Sequence, residues 1–142
     1  MSLMYFEGAT DYVAATPALI TTFEASGSIV AGRMVAFNSA TDQRVGHPAA
    51  ATLAGAGVCI PAGLAIATCS NGDPCPVLVW GYAKNIATGA GLPIVNTNPI
   101  VLSGAGYVMT SGAAPFHRTI YHVGKAISGS STGLIAFINC MF

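Results

Sequence analysis

Short apolar runs separated by turn residues make up most of this sequence, and few windows carry the spacing of an amphipathic helix. The runs are rich in β-branched and aromatic residues, as in segments 77–83, 99–102, 122–127 and 133–139. Such runs, bounded by Gly, Asn, Ser and Pro, are typical of β-strands. About seven or eight strands at this spacing predict an all-β fold, either a small antiparallel β-barrel or a sandwich.

Individual strands follow from the same pattern. Residues 29–37 predict a first strand with a bend at Ala31-Gly32, and a short strand is expected around Arg44-Val45. The runs 64–69 and 77–83 enclose Asn71-Gly72, and Asn-Gly between two apolar runs is a strong signal for a β-hairpin. We therefore predict that these two runs form a hairpin.

The first 26 residues are less regular. In the window 10–25, Asp11 is a possible helix N-cap, but Pro17 and several β-branched residues lower the helix propensity, which favours an extended arm or edge strand. Residues 49–57 are either a short helix or a loop. We accordingly divide the chain into an N-terminal arm, 1–26, and a β-barrel domain, 27–142.

Charge is unusually scarce. The 142 residues include five Lys and Arg and five Asp and Glu, so 7% are charged and the net charge is zero, against roughly 25% charged residues in an ordinary domain. No basic stripe exists to bind nucleic acid or an anionic membrane, and the apolar content argues against disorder. We therefore expect copies of the chain or a larger assembly to cover its apolar surface.

Targeting signals are weak. The uncharged stretch 49–69 is interrupted by Gly55, Gly57 and Pro61 and lacks flanking basic or aromatic anchors, so we do not expect a membrane span. The first seven residues have no basic segment followed by an apolar one, as a secretory signal would. Synthesis in a reducing cytosol is the resulting expectation.

Residues with catalytic or metal-binding chemistry are few. Asp42 and Asp73 lie in turns, where such side chains bond to nearby backbone. His117 and His122 are five residues apart, which places them on opposite faces of a strand rather than on one metal. We predict a protein that is not an enzyme, with no catalytic residues, no cofactor and no metal site.

Cys69 and Cys75 flank the predicted hairpin turn from opposite sides. Facing positions across a hairpin are within reach of a disulfide. The alternative is two small apolar thiols at the strand ends, which a cytoplasmic product favours.

Aromatic residues are frequent in the arm, and they are our candidates for contacts with a docking partner or with other copies of the chain: Tyr5, Phe6, Tyr12 and Phe23. Packing of the arm on its own barrel is the alternative. Trp80 and Tyr82 are the best candidates for a glycan platform, but strand alternation places both on the face of Leu78, which favours core or interface packing.

The order of several motifs resembles the small β-barrel decoration (cement) proteins of tailed bacteriophage capsids. The resemblance extends over roughly residues 27–140 and depends on spaced Gly, Ala and Val positions in these segments: 27–35, 61–67, 71–73, 76–81, 101–108 and 123–127. The loop between residues 46 and 60 and the low charge depart from the family pattern.

This resemblance implies a virion structural protein, made in the host cytoplasm and placed on the capsid surface. Its partners would be the major capsid protein and other copies of itself, in a homo-oligomer that is expected to be a trimer. It would stabilise the assembled shell without chemistry, and many copies would add weak contacts by avidity. The alternative function is a phage tail or head fibre module that binds a receptor or glycan.

Overall fold

The computed structural model describes residues 2–5, 17–37, 43–49, 59–89, 99–110, 122–128 and 134–141. These residues form ten β-strands with antiparallel pairing between strands, which confirms the predicted all-β fold. The strands are β1 (Ser2–Tyr5), β2 (Pro17–Glu24), β3 (Met34–Phe37), β4 (Val45–Gly46), β5 (Ile60–Ala65), β6 (Pro74–Ile86), β7 (Pro99–Leu102), β8 (Val108–Thr110), β9 (His122–Ser128) and β10 (Leu134–Asn139).

The long strand β6 organises the sheet. Its Val77 and Leu78 pair with β2 on one edge and with β5 on the other. Further along, Trp80 pairs with β2 and with Asn139 of β10, so β5 and β10 follow one another along the same edge of β6. The main path of the sheet runs β4-β3-β5-β6-β10-β9-β7-β8, and β1 extends β2.

One face of this curled sheet encloses the main hydrophobic core. Leu78, Leu64, Ile100, Leu134 and Ile138 are each fully buried there. They come from β6, β5, β7 and β10, so this cluster ties together strands distant in sequence. Burying each such side chain contributes about 1.5–3 kcal/mol to folding before entropic costs are counted.

A second hydrophobic cluster lies apart from the first. Its members Val77 and Cys75 of β6 are covered by loops 25–33 and 66–73, which contribute Ile29 and Cys69. The two loops are joined by backbone hydrogen bonds in both directions between Ile29 and Cys69, at 2.9 and 3.0 Å. This cluster is therefore sealed by the chain's own turns.

The curl of the sheet brings β3 and β4 close to the turn that precedes β8. Gly106, in the 3-10 turn Gly104–Gly106, has a φ of +81°, and a Cβ there would overlap the carbonyl oxygen of Met34 and Nδ1 of His47. The N–H of Ala105 also donates to the carbonyl of Pro48 at 2.8 Å. Only glycine fits this junction without strain.

Two local predictions need correction or refinement. The runs around Asn71-Gly72 do belong to adjacent antiparallel strands, but pairing stops at Ala65 and Val77. Cys69 pairs with Ile29 instead of continuing the hairpin. The predicted strand 29–37 is regular only in β3, because residues 31–33 form a turn.

The N-terminal region contributes directly to the sheet. Its Pro17–Glu24 segment is β2, an extended strand as the sequence favoured over a helix, and it buries Ala18 and Ile20 in the main core. The division of the chain into an arm and a barrel at residue 26 stays a prediction. The alternatives for residues 49–57 concern mostly positions outside the described residues.

Candidate interaction surface

A bulge in β6 decides which side chains reach the surface. Leu19 pairs with Trp80 but its neighbour Ile20 pairs with Leu78, so Val79 is an extra residue in β6. Such a bulge shifts the alternation of side chains by one position. A Cβ at Gly81 would accordingly lie 3.4 Å from Leu78 Cδ1, on the core side of the strand.

The bulge corrects the sequence prediction for Trp80 and Tyr82. Without it, both would share a face with Leu78; with it, they lie on the opposite, outer face. There they contact Phe137 of β10, whose ring centroid is 5.0 Å from Trp80 and 4.9 Å from Tyr82. Both contacts are edge-to-face, the arrangement that aromatic pairs favour, so the three rings form one aromatic cluster.

Other exposed apolar side chains surround this cluster. Ile135 lies two residues before Phe137 on β10, and Ile127 lies on the neighbouring strand β9. Tyr82, Ile127 and Ile135 are 42%, 43% and 38% exposed, which is high for large apolar residues. Contiguous exposure of this kind marks an interaction surface more often than chance scatter does.

Two lysines border the same surface. Lys125 of β9 is paired directly with Phe137, so both side chains share the outer face. Lys84 follows Tyr82 by two residues on β6, before a second bulge at Asn85, where φ is +56°. Both lysines are exposed. We call this surface the open half of the outer face; it consists of Trp80, Tyr82, Lys84, Lys125, Ile127, Ile135 and Phe137.

An apolar cleft lies next to the open half. It has a volume of about 470 Å³, and its lining includes Phe23, Phe37, Cys140 and Met141. The Phe23 and Phe37 rings meet edge-to-face at 5.1 Å. Because Thr21 supplies the one hydroxyl of the lining, the cleft suits an apolar side chain better than a reacting substrate.

His47, whose pKa is lowered, has a structural role. His47 Nδ1 donates to the carbonyl of Met34 at 2.9 Å, while Nε2 accepts from the N–H of Val30 at 2.9 Å. Burial lowers its pKa, and nearby Arg33 lowers it further, against the opposing effect of the Met34 bond. Protonating Nε2 would break the bond from Val30, so this ring holds β3 and its preceding turn together in the neutral form.

The described cysteines are buried, and the pKa values of three of them are raised. Burial raises the pKa of Cys140 to about 12, and burial with the neighbouring Cys69 thiol raises that of Cys75 to about 12. The Cys69 thiol lies 3.7 Å from the carbonyl of Pro74 and belongs to the second cluster. High pKa values leave little thiolate, which is the nucleophilic form.

The four aromatic contact candidates are only partly placed. Phe23 packs on the second cluster and lines the cleft, so its ring is half-buried within the subunit. The backbone of Tyr5 ends β1, opposite Pro17 of β2. Phe6 and Tyr12 lie outside the described residues, as does His117. Sequence reasoning missed Phe137 and the two lysines. Strand alternation was the available signal for Lys84, because a residue two positions after Tyr82 on one strand shares its face.

Among the described residues, no three His, Cys, Asp or Glu side chains come together as a metal site would require. That part of the chain also contains no helix long and apolar enough to cross a membrane. The expectations of no metal and no catalysis stay predictions.

Comparison with known proteins gives a structural likeness for this fold. No family model and no curated protein matches the sequence. The fold is similar to the crystal structure of the head fiber gp8.5 N base of bacteriophage phi29, with a TM-score of 0.57 and 17% sequence identity. The match extends over 86% of this chain and 94% of the other. At this identity the likeness establishes a shared fold.

Proposed function

We propose that this chain is a structural protein of a tailed-bacteriophage virion that attaches to the assembled head and stabilises it without catalysis. The observation that carries the proposal is the likeness to a head fiber base, which extends over nearly the whole of both chains. Fold alone does not fix function, so the surface supplies the second argument.

That surface suits attachment to a protein shell. The open half exposes aromatic and branched apolar side chains, and the adjoining cleft accepts an apolar side chain. With 7% charged residues, the chain has few solvated groups to keep such a surface in water. A shell offers many equivalent sites, so modest contacts sum by avidity when copies are linked.

We further propose that the attached form is a homo-oligomer, with a trimer as the expected state and the major capsid protein as its other partner. Tyr5, Phe6 and Tyr12 remain our candidates for contacts between copies or with the capsid. Phe23 is a weaker candidate than the sequence suggested, because its ring already packs against Phe37.

A second candidate function is a head fibre module that reaches a receptor or glycan. The structural likeness to a head fiber base favours it. The two functions share attachment to the head and differ in what the protein does once attached: a decoration protein raises the stability of the shell, whereas a fibre module contributes binding to host cells.

Both functions are tested with phage heads assembled without this protein. The purified chain is mixed with heads and sedimented, and bound protein per head and the temperature of DNA release are measured. Saturable binding with a higher release temperature supports decoration. Saturable binding without stabilisation, together with binding to host cells, favours the fibre module; no binding to heads contradicts both.

A further inference from the structure

The open half gathers chemistry that is rare elsewhere in the chain. The sequence contains one tryptophan and two lysines, and all three, Trp80, Lys84 and Lys125, lie on this surface. From the spacing of strands and residues, the Cα atoms of the two lysines are roughly 12 Å apart across β10. The result is an aromatic surface with a positive group at two of its borders.

The acidic side chains that the structure describes do not neutralise these lysines. Glu24 and Asp73 lie beside the first residue of β6, about ten residues from Lys84 along the strand, or roughly 33 Å. Both are already engaged: Glu24 lies 3.9 Å from Arg44, and Asp73 accepts from the N–H of Ser70 at 3.1 Å. Among the described residues, nothing complements the two lysines, and charge complementarity therefore favours a partner that carries carboxylates of its own.

The lack of a described carboxylate near the two lysines also disfavours a two-fold contact between identical open halves. In such a contact the same patch occurs on both sides, so Lys84 and Lys125 of one copy would approach the lysines of the other. Four ammonium groups would share a partly desolvated interface without a described carboxylate between them. Like charges placed in this way oppose association, so a surface other than a second open half is the favoured occupant.

We infer that the open half is the docking surface for the head shell, and that the shell's complementary surface presents apolar side chains bordered by carboxylates. This inference rests on the proposed function and names the chemistry of its partner. The aromatic cluster is desolvated on docking, and the two lysines set orientation through charge. Binding through exposed charges weakens as salt rises.

The experiment compares charge reversals that alter net charge equally. Lys125→Glu and Lys84→Glu change the open half, and Arg44→Glu, immediately before β4, is the control outside it. We expect each single lysine variant, which matches the control in net charge, to bind heads more weakly than the parent and with a shallower dependence on salt. The double lysine variant should bind at least about tenfold more weakly. The control variant should bind like the parent. Unfolding midpoints verify that all variants fold.

A second matched pair of variants tests the apolar part of the docking surface. Ile127→Ser lies in the open half, while Val30→Ser removes a similarly exposed side chain, 43% against 41%, from the loop over the second cluster. We expect only Ile127→Ser to weaken binding to heads.

The outcomes separate the inference from the proposed function. If the parent binds heads and the lysine and Ile127 variants bind equally well, the open half is not the docking surface, although attachment to heads stands. If those variants instead lose self-association, measured by sedimentation of the free protein, a second copy occupies the surface and the inference is wrong. If the parent ignores heads, the proposed function fails and the inference fails with it.

Discussion

The outer face of β6 has two halves that differ in what covers them. Around Cys75 and Val77, the loops 25–33 and 66–73 close over the strand and every member of the cluster is buried. Beyond the bulge at Val79, Trp80 and Tyr82 are partly exposed and no described loop closes over them. One strand thus passes from a sealed apolar surface to an open one within a few residues.

This difference separates residues that hold the fold from residues available to a partner. In the covered half the loops are fixed by backbone bonds, such as Gly72 N–H to the carbonyl of Ala25 at 2.8 Å. In the open half the apolar side chains are accompanied by two lysines, which a purely structural core excludes. We therefore expect substitutions in the covered half to change stability and those in the open half to change binding.

The largest effect is expected from a pair of identical substitutions. Ile29→Ala, in the covered half, removes a fully buried side chain and should lower the free energy of unfolding by about 2–5 kcal/mol. Ile127→Ala, in the open half, should lower it by less than about 0.5 kcal/mol. Urea denaturation measures both; equal losses would show that the open half is part of the core.

A pair of glycine substitutions tests how much the close approach at the Gly106 junction contributes to stability. Gly106→Ala should lower the free energy of unfolding by about 2–4 kcal/mol, from left-handed backbone strain and overlap with Met34 and His47. Gly72 has a similar φ of +86° in the loop of the covered half, but a Cβ there meets nothing within 4 Å. Gly72→Ala should therefore cost only the strain, roughly 1–2 kcal/mol, in the same denaturation assay.

A smaller effect is expected from pH. The pKa of His47 is lower in the folded chain than its ordinary value of 6.5, so the unfolded state takes up a proton first as the pH falls. Stability should decline from about pH 6.5 downward until the folded-state ring also protonates. His47→Gln should remove this part of the decline in denaturation curves between pH 5 and 7. An unchanged pH profile in that variant would contradict the structural role of the ring.

The smallest effect concerns one thiol of the covered half and one thiol that lines the cleft. Cys75 in the covered half and Cys140 at the cleft both have raised pKa values, so both should react slowly with iodoacetamide in the native protein and quickly after unfolding. Mass spectrometry under non-reducing conditions also tests our prediction that Cys69 and Cys75 are reduced in the native particle. A mass showing both sulfurs joined would overturn it.

Strand content was predictable because the apolar runs at 99–102, 122–127 and 133–139 have the right length and spacing, and they became β7, β9 and β10. The site was not predictable in the same way. A single bulge at Val79 reverses which face Trp80 occupies, and bulges carry no distinct residue pattern. Similarly, Cys69 pairs with Ile29, a partner forty residues away, rather than within the local hairpin that Asn71-Gly72 signals.

The central claim, that the open half is left uncovered by the subunit and is covered when the protein binds a head, is tested most directly at Trp80. Because it is the chain's one tryptophan, replacing it biosynthetically with 5-hydroxytryptophan gives a probe that is excited apart from the tryptophans of the shell. Quenching by acrylamide is then measured for free protein and for protein sedimented with heads. The account predicts efficient quenching in the free protein and strong protection in the bound one. Equal quenching in both states would contradict it.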